Sequence, residues 1–292
     1  MVDGRPRAAL SFDVEEWFQT SAASAAYGTS EWRSLESRVQ EPMEYLLKAL
    51  RSHGATATFF FLGWVVERLP NLARMVLDDD HELASHGYGH GQITFQSPVQ
   101  LTEDLELCER AFANAGLPRP RGYRAPSFTV VRETTWALRV LSEKGYVYDS
   151  SVYPMFRHRY GFPQVPIRPF LFSGEDFSLL EMPMAVCPFL GARLPAAGGA
   201  YLRFMPGLLF RFLLSRVSKS GRTPVLYMHP WELDGGMRLC RSSLLQRFRQ
   251  ESGSGRPARR KLESILERYS CVPLRSLADG LSPDELDVVR VE

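Results

Sequence analysis

Apolar residues recur at Met43, Leu46, Leu47 and Leu50 within EPMEYLLKALRSHG (41–54), a 3.6-residue period that predicts a helix, with Gly54 as its C-terminal stop. ATATFFFLG (55–63) is β-branched and aromatic, and predicts a strand. RAALSFD (7–13) reads as an earlier buried strand ending in an acidic cluster, and HELAS (81–85) as a third strand after helical material, VVERLPNLARMVLDDD, interrupted at Pro70. LTEDLELCERAFANAG (101–116) and ETTWALRVLSEKG (133–145) predict two more helices, and TPVLYMHP (223–230) a late strand. Strands and helices alternating at this pace predict parallel strands with helices outside, closed as an α/β barrel. Between about 155 and 222 the pattern loosens into segments such as PAAGGAYLRFMP, which read as an elaboration of the same core.

Composition narrows the class of protein. The 292 residues are 45% hydrophobic, enough for a sizeable core, and Lys+Arg 35 against Asp+Glu 33 leaves a net charge of only +2. That balance predicts neither a nucleic-acid partner nor an electrostatic membrane anchor. The one dense basic run, RPARRK (256–261), follows the flexible SGSG and reads as a solvated helix start. Cys108, Cys187, Cys240 and Cys271 form no paired motif and are expected to be buried free thiols. The N-terminus has no apolar leader and no apolar run approaches membrane-spanning length, so a soluble, cytoplasmic protein is expected.

The candidate chemistry sits at predicted strand ends. SFDVEEW supplies Asp13, Glu15 and Glu16; ASHGYGHGQI supplies His86 and His90; GYRAPSF supplies Arg124; LYMHPWE supplies His229. His86 and His90 have the four-residue spacing of a helical metal pair, yet Gly87 and Gly89 argue against a helix. Glycines instead let a loop turn tightly so that both imidazoles converge. Two histidines and one carboxylate make a three-ligand catalytic zinc-type site with one position open to water. Each residue also has a plain structural alternative: a helix cap for Asp13 or Glu15, an ion pair for Arg124, a turn for Asp149, a core position for His229.

Five stretches in order, SFDVEEWF, ASHGYGH, GYRAPSF, YDSSVYP and LYMHPWELD, resemble the motifs of the NodB-like polysaccharide deacetylases of carbohydrate esterase family 4. LPAAGGAYLRFMP and RRKLESILERYSCVPLRSL resemble the subfamily of exosortase-associated exopolysaccharide loci, so the likeness runs from about residue 8 to about 277. The resemblance implies a distorted (β/α) barrel of about seven parallel strands in one domain over 1–292, with 155–222 and 235–292 as subfamily elaborations. It implies Asp13 as catalytic base, His86 and His90 as metal ligands, His229 as general acid, Asp149 as the carboxylate positioning that acid, and Arg124 with Pro126 along the site wall. Many members have adjacent aspartates in the first motif, whereas Val14 follows Asp13 here. Glu15 is therefore the favoured third ligand, because alternation keeps it on the side of Asp13, with Glu16 the runner-up. The fifth motif has Tyr227 where a leucine is usual.

The implied reaction is hydrolysis of an N-acetyl group on an amino-sugar glycan or lipid-linked saccharide, in exopolysaccharide biosynthesis. The cofactor would be a divalent metal, Zn2+ first, with Co2+, Ni2+ or Fe2+ also compatible with imidazole and carboxylate ligands. The backbone N–H of Ser127 would help hold the oxyanion, and Arg124 would keep a neighbouring carboxylate ionised. Trp17 and Trp231 follow proposed catalytic residues closely enough to serve as stacking surfaces for a pyranose. Two rival readings remain open: a metal-dependent amidase or imidase on a small molecule, and a catalytically silent carbohydrate-binding protein. Oligomeric state is not readable from these patterns.

Overall fold

The structure, a computed structural model, describes residues 4–24, 26–157, 160–237 and 239–291. Its strands are β1 (Arg7–Val14), β2 (Thr58–Phe61), β3 (Glu82–Ser85), β4 (Gly122–Tyr123), β5 (Tyr148–Asp149), β6 (Phe170–Ser173), β7 (Ser178–Glu181), β8 (Val186–Phe189), β9 (Ala192–Pro195), β10 (Val225–Met228), β11 (Ser270–Val272) and β12 (Asp287–Arg290). Its helices are α1 (Gln40–Ser52), α2 (Gly63–Arg68), α3 (Pro70–Asp78), α4 (Pro98–Asn114), α5 (Trp136–Glu143), α6 (Ala200–Phe204), α7 (Gly207–Lys219), α8 (Leu244–Glu251), α9 (Arg256–Arg268) and α10 (Leu274–Ala278).

The main sheet runs β10-β1-β2-β3-β4-β5-β7-β6-β12, with β11 alongside the start of β1. From β10 to β7 the seven neighbouring strands are mutually parallel, as a (β/α) barrel requires. β2 and β3 are buried throughout and β1 beyond its first residue, because helices cover parallel strands. Irregular chain bridges the gap between β7 and β10: Met184 N–H donates to Val152 O, Ala185 N–H to Val225 O, and Tyr227 N–H to Ala197 O. The glycine pair of PAAGGAY explains that close approach. A Cβ on Gly198, at φ 151°, would stand 1.8 Å from Tyr227 O, and one on Gly199, at φ 56°, would meet the Tyr227 hydroxyl at 2.3 Å.

Helix limits follow the sequence with small shifts. The chain breaks between α2 and α3 at Pro70, and α4 begins earlier than the apolar period indicates because Ser97 caps it, accepting from Gln100 N–H. RPARRK does open a helix, α9. The loosely patterned 155–222 stretch holds β6 to β9, α6 and α7, more regular structure than its prolines and glycines suggest. Cys108, Cys187 and Cys271 are buried free thiols, whereas Cys240 is exposed, a departure from the expectation for all four.

Candidate active site

Register brings the site together. Phe61, Ser85, Tyr123 and Asp149 stand in one row across β2 to β5, and Phe12 faces Met228 across β1 and β10. His86, Arg124 and His229 each follow the last residue of their strand, and Glu15 follows β1. Strand ends at a common level therefore deliver side chains from distant sequence positions into one cavity mouth.

The histidine loop is held from outside. Asp104 on α4 accepts from Tyr88 N–H at 2.8 Å and Gly89 N–H at 3.1 Å, while Gly63 N–H and Trp64 N–H donate to the carbonyls of Gly87 and Tyr88. Gly87, at φ 74°, has no room for a Cβ, which would meet Asp104 Oδ2 at 2.5 Å. His90 itself adopts φ 56°, an unfavourable conformation retained by this clamp. Asp104 carried no recognisable signal in the sequence, since an acid within a helix is ordinary there.

Glu15, His86 and His90 offer donor atoms that all lie within 4.8 Å of one another. His86 Nδ1 is 2.7 Å from the carbonyl of Arg124; a carbonyl only accepts, so Nδ1 carries the proton and Nε2 keeps the lone pair a metal needs. His90 Nε2 is 2.7 Å from Glu15 Oε2, yet that oxygen is buried without a hydrogen bond. The other oxygen, Oε1, accepts from the Trp231 indole at 3.0 Å. Burial alone would raise the Glu15 carboxyl, but His90 and then His229 hold it at about 2. Burial pushes His86 down to about 4, so it stays neutral. An ionised carboxylate, a neutral imidazole and an orphaned buried oxygen suit a divalent cation. Glu16 points elsewhere, accepting from the Ser37 hydroxyl and from Arg38 N–H.

Beside this trio lies a second group. Arg124 is fully buried over the Phe60 ring at 4.1 Å, and its Nη1 donates to Asp13 Oδ1 at 2.7 Å and Ser11 Oγ at 2.8 Å. Its Nε and Nη2 reach Ser150 O and Oγ, so the guanidinium is satisfied and fixed. Asp13 Oδ2 faces His229 Nε2 at 3.9 Å and has no hydrogen-bond partner among the described residues. His229 Nε2 is also 3.7 Å from Glu15 Oε1, and the imidazole stacks on Trp231 at 5.1 Å.

The carboxylate on the far side of His229 is Glu232, not the expected Asp149. Glu232 Oε2 lies 3.6 Å from His229 Nδ1 and accepts from the His229 backbone N–H at 3.0 Å; its Oε1 accepts from Arg203 Nε at 2.7 Å. Burial opposes charge on His229, but Glu232, Glu15 and Asp13 outweigh it and raise the imidazole to about 9. Asp149 is instead buried beneath, accepting from the Ser151 hydroxyl and paired through β5 and β7 with Glu181, which burial and the neighbouring Asp149 push well above the usual carboxylate range. Two acids so close share a proton, and Asp149 supports the floor without touching His229. Glu232 was within the motif LYMHPWELD, and only its side-chain direction was illegible.

Neither tryptophan is an open stacking surface. Trp17 donates to Glu36 O at 3.0 Å and packs edge-on against Phe18 and Tyr27, while the ring of Trp231 is covered by His229 and Arg203. Their rings face the core because a short turn after each strand folds them back. Pro126 is buried in the turn after β4, where Ser127 and Phe128 both take positive φ, 59° and 55°. The Ser127 hydroxyl meets that of Ser21 at 2.5 Å, and Phe128 packs against Tyr227, at the position where a leucine was anticipated.

Comparison with known proteins finds similarity in both parts of the chain. Residues 32–148 match the polysaccharide deacetylase family and residues 150–279 a domain of unknown function, DUF3473. A peptidoglycan deacetylase-like protein of Gibberella zeae is 32% identical over 109 residues, 37% of this chain and 31% of that one. A peptidoglycan-N-acetylglucosamine deacetylase of Bacillus cereus is 33% identical over 81 residues, 28% of this chain and 38% of its own length. The chain thus spans less than two fifths of these relatives. A crystal structure from Mycobacterium smegmatis, assigned to the polysaccharide deacetylases, superposes with a TM-score of 0.68 at 19% identity, covering 100% of this chain and 96% of that one, which shows a shared fold. Residues 32–148 are thus similar to the polysaccharide deacetylase family, on a fold shared with that structure.

Proposed function

We propose that this chain is a metal-dependent hydrolase that removes N-acetyl groups from an amino-sugar glycan, with exopolysaccharide biosynthesis as its setting and a lipid-linked saccharide among the candidate substrates. The observation that carries this reading is the meeting of Glu15, His86 and His90 beside Asp13 and His229, two groups able to move a proton at opposite ends of an amide. Glu15, His86 and His90 would hold a divalent metal, Zn2+ by preference, which when bound would polarise the acetyl carbonyl and bring the pKa of water towards ~7.

Arg124 holds Asp13 Oδ1, leaving Oδ2 to take the proton from the attacking water. His229 Nε2, oriented by Glu232 and the Trp231 ring, donates to the departing amine. The Ser127 N–H, raised on its strained turn, helps hold the oxyanion, and Pro126 stiffens that wall. The test is acetate release from N-acetylglucosamine oligomers, together with metal content, for the parent and for Asp13→Asn. Release by the parent, and a loss of roughly 10²-fold or more in a variant that still holds metal, supports the reading. Metal without release would favour the small-molecule amidase reading, and neither would favour a silent carbohydrate binder.

A further inference from the structure

The C-terminal half carries a surface that the site does not use. On α7, Leu208 is 75% exposed, with Leu209 and Phe212 beside it; on α8, Leu244 is 81% exposed, with Leu245 and Phe248. Contacts tie α6 to α8 on one side and α7 to the β8–β9 hairpin on the other. The Phe204 ring at the end of α6 stacks on Phe248 at 5.8 Å, and Arg203 Nη1 joins α6 to the end of α8 by donating to the carbonyls of Arg249, Gln250 and Ser252. In the other direction, the Arg216 guanidinium lies 5.8 Å from Phe212 and 5.9 Å from Phe189 on the β8–β9 hairpin, whose tip residue Leu190 is 91% exposed. Single exposed apolar residues need no explanation, but several large ones at this exposure on neighbouring elements are the kind of surface that binds.

Charge says what it binds. Although the whole chain is nearly neutral, residues 182–231 contain no Asp or Glu, while Arg211, Arg216 and Lys219 line α7 itself. Behind the hairpin, Arg193, Arg216, Arg222 and Arg168 line a cavity of about 700 Å3 in which the one acid, Asp287, is paired with Arg168. Among the described residues, Arg193 donates to the carbonyls of Pro154 and Val165, and Arg222 to those of Ile167 and Val186 and the Ser220 hydroxyl, and neither guanidinium meets a carboxylate. Leucine and phenylalanine beside unpaired arginines are the composition of a surface that lies in a bilayer interface. A second copy would bring two like-charged rims together, which disfavours self-association through this face.

We propose that α7, α8 and the β8–β9 hairpin form a docking surface for an anionic phospholipid bilayer, with the apolar side chains entering the acyl boundary and the arginine-lined cavity taking a headgroup phosphate. Arg203 stands between this face and Glu232, so docking would hold the candidate site close to the bilayer surface. A saccharide carried on a lipid would then be within reach, a consequence that rests on the deacetylase reading.

The experiment is co-sedimentation of the full chain with vesicles of neutral phosphatidylcholine, or of phosphatidylcholine mixed with phosphatidylglycerol. Partition onto the anionic vesicles and weakening in high salt are expected. The triple variant Leu208→Ser, Leu244→Ser, Phe248→Ser should bind tenfold or more weakly, and Arg211→Glu with Arg216→Glu at least fivefold more weakly per charge, both with the thermal midpoint of the parent. Equal binding to both vesicle types, no binding, or undiminished binding by both variants overturns the proposal. So does sedimentation velocity showing a parent dimer that the triple variant dissociates, which would make the face a self-association surface. Binding is read without substrate, so a chain that docks but releases no acetate leaves this inference standing and removes the deacetylase reading.

Discussion

Glu15 and Glu16 are chemically alike and adjacent, yet only one reaches the histidines. Extended chain throws successive side chains to opposite sides, so Glu15 turns with Asp13 into the site and Glu16 turns away to Ser37 and Arg38. Glu15→Gln should weaken metal binding tenfold or more, because the amide replaces an ionised ligand between His90 and Trp231. Glu16→Gln should retain metal and cost about 1 kcal/mol of stability through its weakened hydrogen bonds. Metal analysis after dialysis checks both; loss of metal from the Glu16 variant alone would transfer the ligand role. The same scale shows why the tryptophans and Asp149 misled a linear reading: proximity in sequence to a reactive residue does not determine which way a ring or carboxylate points.

At the scale of elements, the junction of α3 and β3 stores a pH dependence. His81 packs against the Phe59 ring at 5.3 Å with both ring nitrogens buried and unpartnered. Burial lowers its pKa from 6.5 to about 4, opposed by Asp79 and Asp80 and assisted by Arg275 and Arg51. The folded value is depressed, so the neutral ring favours the fold above pH 6.5, and this contribution is lost as pH falls towards 4, where the unfolded chain takes the proton first. His81→Leu should therefore lose less stability than the parent between pH 7 and pH 4.5, read from urea midpoints at the two values. An equal loss in both would mean that the acid sensitivity lies elsewhere.

The whole molecule is interlocked in a way its segments conceal. The matched deacetylase segment, 32–148, contains His86, His90 and Arg124 but not Asp13, Glu15 or His229, which arrive from β1 and β10. The tail completes the sheet: β11 pairs with β1, Leu274 N–H donates to Thr58 Oγ1, and Arg275 N–H to Glu82 Oε2. Ending the chain at residue 268 keeps every candidate catalytic residue, yet it should abolish cooperative unfolding and soluble yield, because β1 loses a neighbour and buried Leu274 is removed. Ending it at 281, which removes the 3-10 turn Pro283–Glu285 and β12 from the far edge beside β6, should leave a folded protein. Thermal unfolding of the two truncations distinguishes these outcomes; a folded 1–268 chain would show the tail to be an accessory. No helix among the described residues is long and apolar enough to cross a membrane.

The pattern of apolar residues determined the strand–helix alternation and hence the parallel barrel, because a 3.6-residue period and short buried β-branched runs are local properties of the chain. It also placed Asp13 and His229 at strand ends, since both follow apolar runs directly, while His86 and Arg124 stand just beyond shorter strands. What tertiary structure decided is which of these residues meet. Register across β2 to β5, the Asp104 clamp on the histidine loop, the approach of Gly198 to Tyr227, and the choice of Glu232 over Asp149 beside His229 all depend on contacts between segments far apart in sequence. Such contacts leave no local periodicity, because an acid on a helix or a glycine in a loop has the same sequence signature whether it faces water or a partner from another strand.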